Sequence, residues 1–479
     1  MKKRIMALFM CGIMVVSALT GCGAASTGEA SAASDARGGS TADGAEASST
    51  PANGGDEGTI NLWAFTDEVP GMVNKYVESH PDFPYKINST IIATTEGAYQ
   101  PALDQALQAG GSEQPDIYCA EAAFVLKYTH GDMQDYAMPY KDLGIDIDNK
   151  IKEAQIAQYS VDIGTNTSGD VDGLGYQATG GAFIYRRSIA KDVFGTDDPA
   201  EISKIIGGGT GNLDKFWEAA EKLADNGDAI ISGDGDVWHA IENSSEQGWI
   251  NDAGQLQIDS KREAFLDISK ELTDKGWSNQ TRDWQDAWFA DMKGEGSKPV
   301  FGFFGPAWLI NYTLAPNCGG EKTGEGTYGD WAVCDSPVGF FWGGTWLLAN
   351  KNMDSAKVSA VKDIIEWITL DTSEDGLQYK WANGTLNGEG GTKDSVASAT
   401  VMEKSDGSLE FLGGENMFEY FIPANEYANG KNLTQYDESI NMAWRDQVRS
   451  YAAGEKERDA ALTDFKQNIS DTLGIEAAQ

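Results

Sequence analysis

Residues 59–66 read Thr-Ile-Asn-Leu-Trp-Ala-Phe-Thr, and the fold class rests on this run together with the fifty or so residues after it. Such a run of apolar and β-branched residues predicts a strand, closed here by the acidic turn Asp67-Glu68. Val69 to Ser79 then carries apolar residues at helical spacing and stops at His80-Pro81. Tyr85 to Ile92 predicts a second strand, Glu96 to Ala109 a helix closed by Gly110-Gly111, and Asp116 to Ala120 a third strand. Strand, helix, strand, helix, strand is the opening of an α/β domain. Sheets of that kind bind ligands in the crevice beyond the carboxyl ends of their strands. Asp67, Glu68, Thr94, Thr95 and Glu121 are therefore site candidates by position.

The rest of the chain continues the pattern in a more helical form. Asn212 caps a helix whose apolar positions, Leu213, Phe216, Trp217, Ala220, Leu223 and Ala224, keep a three-and-four spacing. Val300 to Phe304, Asp330 to Cys334 and Thr345 to Ala349 read as buried strands. Val361, Ile364, Ile365 and Ile368 form one helix face, and Leu462, Phe465, Ile469 and Leu473 form the last. Trp217 and Trp367 lie on such faces and read as packing residues. A chain of 479 residues exceeds one ordinary core, so two lobes are expected.

The amino terminus reads as an address. Met1 to Arg4 is basic, Ile5 to Leu19 is apolar, and Leu19-Thr20-Gly21-Cys22 looks like a bacterial lipobox. Residues 1–21 are thus a predicted signal peptide and Cys22 the predicted lipidation site. Residues 23–58 contain no Val, Ile, Leu, Met, Phe, Trp or Tyr, so nothing offsets the entropy of ordering them. We read 22–58 as a disordered tether.

Charge narrows the ligand class. With 36 Lys+Arg against 74 Asp+Glu, the formal net charge is -38, which excludes nucleic acid and repels acidic lipids and acidic ligands. Neutral or cationic ligands remain. His80, His130 and His239 are the only histidines and none pair at metal-ligand spacing, so neither a metal nor another cofactor is expected. Gly207-Gly208-Gly209-Thr210-Gly211-Asn212 lacks the lysine of a phosphate-binding loop. Asp170-Val171-Asp172-Gly173 and Asp234-Gly235-Asp236 lack the full ligand series of a calcium loop. Cys119 sits in an apolar strand, whereas Cys318 and Cys334 flank a turn-rich stretch and either form a disulfide or stay free.

Taken in order, several segments carry a family resemblance. They are Trp63 with Asp67, Pro115-Asp116-Ile117, Gly180 to Arg186 (GGAFIYR), Phe304-Gly305-Pro306-Ala307-Trp308, Pro337 to Trp346 (PVGFFWGGTW), and a helix pair around Ala443 to Ile469. Together they resemble the extracellular solute-binding proteins of ABC transporters, the large family that includes maltose-binding protein. The resemblance spans most of residues 59–475 and rests on the order of the segments. It departs from the family pattern at Tyr176-Gln177-Ala178, where a proline is usual, and at Arg186-Arg187, where Asn-Lys is common. The resemblance implies an α/β, two-lobed periplasmic-binding-protein-like fold with a hinge and an interlobe cleft. Residues 59–180 plus about 336–385 would form lobe 1, and 181–335 plus about 386–479 lobe 2. It also implies a monomeric, lipid-anchored receptor on the outer face of the bacterial cytoplasmic membrane, which delivers its ligand to ABC permease subunits and is not an enzyme.

A neutral oligosaccharide fits the residues independently of that resemblance. Sugars present hydroxyl groups at their ring edges and apolar C–H faces, so a receptor needs carboxylate and amide acceptors beside flat aromatic rings. The chain has 14 Trp. Trp342-Gly343-Gly344-Thr345-Trp346 is the strongest cluster, because two glycines let backbone approach a ligand between flanking indoles; a packed crossing loop is the competing reading. Trp308 follows a strand-to-helix turn, Trp63 ends the first strand, and Asp283-Trp284 precedes a helix on which Trp288 shares a face with Trp284. Trp381 and Tyr99 complete the aromatic candidates. Glu121 either touches ligand or caps the helix that begins near Ala122. Two alternatives share this composition. A surface glycoside hydrolase also uses Trp-lined subsites and paired carboxylates, and an adhesin would bind no soluble ligand.

Overall fold

The structure, a computed structural model, describes residues 58–94, 97–388 and 390–478. The predicted signal peptide, Cys22, the tether up to residue 57, and Thr95 lie outside the described residues. The opening forms as expected, with strands β1 (Thr59–Ala64), β2 (Lys86–Ile91) and β3 (Ile117–Glu121) separated by helices Glu68–Ser79 and Tyr99–Ala109. β1 pairs parallel with both β2 and β3, Leu62 standing opposite Ile117. Strands β4 (Gly173–Gly175) and β8 (Thr345–Ala349) return antiparallel and complete the sheet order β2-β1-β3-β8-β4. Every residue of β3 is buried, the signature of a strand covered on both faces. One apolar core surrounds this sheet, drawing on residues from Ile60 to Ala178 and again from Phe341 to Leu377.

A second sheet has the order β6-β5-β7, with β5 (Ala182–Arg186) between β6 (Gly302–Gly305) and β7 (Trp331–Cys334), all antiparallel. Successive side chains of a strand point to opposite faces, and here each face has its own core. Phe183, Tyr185, Phe304, Ala332 and Cys334 enter one. Ala182, Ile184, Phe303, Trp331 and Val333 enter the other, which also holds Cys318. The two cysteines therefore lie on opposite sides of a sheet, and both are buried free thiols, which removes the disulfide alternative. The Asn212 side chain accepts a hydrogen bond from Asp214 N at 3.0 Å and opens the helix Asp214–Asn226. In that helix Trp217 stacks on Trp277 at 5.8 Å, a packing role as expected.

The chain passes from the first core to the second sheet through Ala178–Ala182 and comes back through Phe340–Thr345. These segments run side by side, with Gly181 N donating to Phe340 O at 2.9 Å and Trp342 N to Thr179 O at 3.1 Å. Gly180 N donates to Asn425 Oδ1 at 2.7 Å, bringing the helix Phe418–Tyr427 onto the same place. No side chain fits at either glycine. A Cβ on Gly180 would come within 2.6 Å of Asn425 N, and one on Gly181 would fall inside the Phe340 ring. Overpacking of this kind costs about 1–3 kcal/mol. Urea unfolding of Gly181→Ala is expected to show a loss of that order, and an unchanged midpoint would refute the packing account.

Candidate ligand-binding site

Strand β3 ends at Glu121 beside the returning segment, where Ala122 N donates to Gly344 O at 3.1 Å. Gly343 and Gly344 have φ of 73° and 115°, conformations that a Cβ disfavours, and the Thr179 hydroxyl donates to Gly343 O at 2.8 Å. This fixed turn aims Trp342 away from β8. The Trp342 ring meets Trp308 edge to face at 4.9 Å and Trp284 at 5.9 Å, while Trp284 and Trp308 stack at 6.2 Å. Trp308 Nε1 also donates to Trp342 O at 2.9 Å. All three rings are half-buried, so each keeps apolar surface toward solvent. His239 stacks on Trp342 at 4.7 Å. It escaped sequence reading, although its neighbour Trp238 is buried and a helix turns the next residue to another face.

Carboxyl groups stand beside these rings. A Cβ placed on Gly343 would lie 3.8 Å from Glu121 Oε1 and 3.6 Å from Trp308 Nε1, which puts the carboxyl at the aromatic group. Glu121 Oε2 accepts from Ala123 N at 2.9 Å, so the capping contact exists as well. Burial pushes the Glu121 carboxyl up to about 7, and the nearby Glu438 adds to the shift. Glu438, at the start of helix Asp437–Ala452, is itself raised by burial and hydrogen-bonds Gln100.

A second polar group lies along the segment Ala307–Asn317, which contains Trp308 and, four residues on, Tyr312. Ile310–Leu314 forms a π turn within it. Glu68 accepts a hydrogen bond from the Tyr176 hydroxyl, and burial raises its carboxyl. Asp394 is fully buried, accepts from Gln177 Nε2 at 2.7 Å and from Ser395 N at 2.7 Å, and is pushed up to about 8 by burial, with Glu68 adding to it. Trp381 stands edge to face with Tyr176 at 6.1 Å. Asp394, Tyr176 and Tyr312 carry no motif, since three separate segments bring them to Glu68.

Several expected residues lie elsewhere. Tyr99 is fully buried, its hydroxyl donating to Cys119 O at 2.7 Å, so it ties the helix to the sheet. Trp346 is 1% exposed, with Nε1 donating to Ser160 O at 3.0 Å, because the strand alternation turns it inward. Asp283 is held by Arg445 at 2.6 Å and Arg449 at 3.2 Å, which keep its carboxyl at about 2 and occupy its oxygens. It positions the following Trp284, whose φ of 66° is costly for a bulky residue, and does not offer free acceptors. Trp288 is buried and donates to Asp236 at 2.7 Å. Trp63 is half-buried against the first core, and Asp67 is exposed beyond β1. Trp367 packs in the first core, with Nε1 donating to Asp375 O. Among the described residues no group of three His, Cys, Asp or Glu is placed to hold a metal ion, and no helix is long and apolar enough to cross a membrane.

Comparison with solved structures places this architecture. One extracellular solute-binding protein of family 1 superposes with a TM-score of 0.69 at 18% identity, covering 86% of this chain and 99% of its own. The galacto-N-biose-/lacto-N-biose I-binding protein of an ABC transporter from Bifidobacterium longum, solved with lacto-N-biose, gives 0.62 at 16%, covering 88% and 100%. The sugar-binding protein MalE of Xanthomonas citri gives 0.62 at 15%, covering 87% and 97%. No protein-family model matches the chain, and no curated protein matches it in sequence. The chain has the two-lobed α/β fold of these solute-binding proteins.

Buried carboxyls give this site a pH signature. Glu121 and Asp394 keep their protons when folded at pH values where the unfolded chain has lost them, so folding takes up protons. Their contribution to stability is thus full below the ordinary carboxylate range and is lost progressively as pH rises from there through about 7 to 8. Asp283, held low, acts oppositely but only in acid. Thermal unfolding is expected to give a lower midpoint at about pH 8 than at about pH 5, with Asp394→Asn flattening the profile. A midpoint that rises over this range would refute the assignment.

Proposed function

We propose that this protein is the substrate-binding component of an ABC importer, and that it captures a neutral oligosaccharide between its lobes and presents it to the permease. The observation that carries the reading is the mutual contact of Trp284, Trp308 and Trp342 beside Glu121, where one lobe passes into the other. Indole faces take the apolar faces of sugar rings. A carboxyl near neutrality at physiological pH both donates to and accepts from hydroxyl groups, and it leaves little charge for an uncharged ligand to desolvate. The sugar-binding neighbours support this reading through the shared fold. Lobe 1 comprises residues 59–180 with about 336–385, and lobe 2 comprises 181–335 with about 386–479. A hinge at the paired crossing segments closes them, and the protein acts as a monomer.

A thermal-shift screen over neutral oligosaccharides identifies the ligand, and calorimetry then tests the site. Trp308→Ala and Trp342→Ala are each expected to weaken affinity about tenfold or more, with the fold retained. Wild-type affinity in both would refute the assignment. One observation favours a second reading, a surface glycoside hydrolase: Glu121 and Glu438 are neighbouring carboxyls that both hold protons unusually well, as a general acid does. Shortened products after incubation would establish the hydrolase, whereas a binding protein returns the sugar intact.

We further propose that signal removal at residue 21 exposes Cys22 for lipidation, which anchors the protein to the outer face of the membrane. Two or more acyl chains hold stably where one does not. Palmitate label is expected in the wild type and not in Cys22→Ala, which should be released to the medium; retention of that variant on the membrane would overturn the anchor.

A further inference from the structure

Apart from the aromatic group, a cavity of about 180 Å³ opens between the helices Ser260–Asp274 and Asp437–Ala452 and the loop Ser278–Arg282. Its size admits several waters or a ligand of a few heavy atoms. The lining is unusual for a chain of net charge -38, because two of its charged residues are arginines with unoccupied donors. Arg282 is exposed on the wall, and its guanidinium has no partner among the described residues. Arg449 binds Asp234 through Nε and Nη2 and Asp283 through Nη2, leaving Nη1 without a hydrogen bond. Asp234 also lines the cavity, but Arg449 occupies both its oxygens.

We propose that this cavity is a second binding site, for a small oxyanion of the carboxylate or phosphate type. Guanidinium groups recognise such oxygens through charge-assisted hydrogen bonds. Asp234 and Asp283 hold Arg449 in place and neutralise part of its charge, so selectivity rests on Arg282 and the free Nη1. The site uses none of the three indoles as a ligand contact, although Arg449 also pairs with Asp283, the residue before Trp284.

Calorimetric titration of the full chain with sodium phosphate and with sodium acetate, each against sodium chloride of equal ionic strength, tests it. Saturable binding of at least one anion at millimolar or lower concentration is expected. Phosphate alone would identify a tetrahedral ligand and acetate alone a carboxylate. Arg282→Gln is expected to weaken that binding about tenfold with an unchanged melting temperature, since its guanidinium has no partner to lose. Trp342→Ala is expected to leave it intact, so failure of the sugar assignment and failure of this one are distinguishable. The absence of saturable heat up to about 20 mM of either anion, or an affinity that Arg282→Gln leaves unchanged, would overturn the proposal.

Discussion

The structure depends on two strands of backbone lying against each other at Thr179–Gly181 and Phe340–Trp342. Their hydrogen bonds are few, but Thr179 makes the place stiff. Its N–H donates to the Tyr159 hydroxyl at 2.6 Å, its own hydroxyl reaches Gly343 O, and Tyr159 stacks on Phe341 at 4.8 Å. The first core thus grips both crossing segments, while Gly180 and Gly181 allow an approach that any Cβ would block. Everything beyond this contact is positioned through it, including the second sheet, whose central strand begins at Ala182, and the turn that presents Trp342.

The same contact explains why chemistry collects here. Carboxyls at the end of β3 and near Asn425 are raised by burial, so near neutrality they carry less charge than exposed carboxylates do. The charges that persist are spent internally. Asp283 and Asp234 share Arg445 and Arg449, and the network holds the left-handed backbone of Trp284 beneath the other indoles. Mutual support among these groups is the familiar route to preorganisation, in which binding spends little on ordering side chains.

Much of this is legible in the sequence. Periodicity locates β1, β3, β8 and the first helix within a residue or two and starts the second helix three residues early, at Glu96 where the structure has Tyr99, and the two-glycine run marks the turn at Trp342. Residues are misread where one segment's fate depends on another's. Trp342 and Trp346 look equivalent in sequence, yet pairing of Trp346 with Ala120 and Gly175 commits it to the core. Tyr99 looks like an exposed ring at a helix start, but the carbonyls at the ends of β1 and β3 claim its hydroxyl. Asp283 looks like a free acceptor because its arginine partners lie more than a hundred residues away.

By itself the sequence determined the α/β alternation, the acidic balance, the leader-like terminus and the supply of indoles, because these arise from local spacing and composition. Tertiary structure alone decided which indoles meet, which carboxyls keep their protons, and that Cys318 and Cys334 stay apart. Those outcomes depend on burial and on contacts between segments distant in the chain, and neither is encoded in any short window of residues.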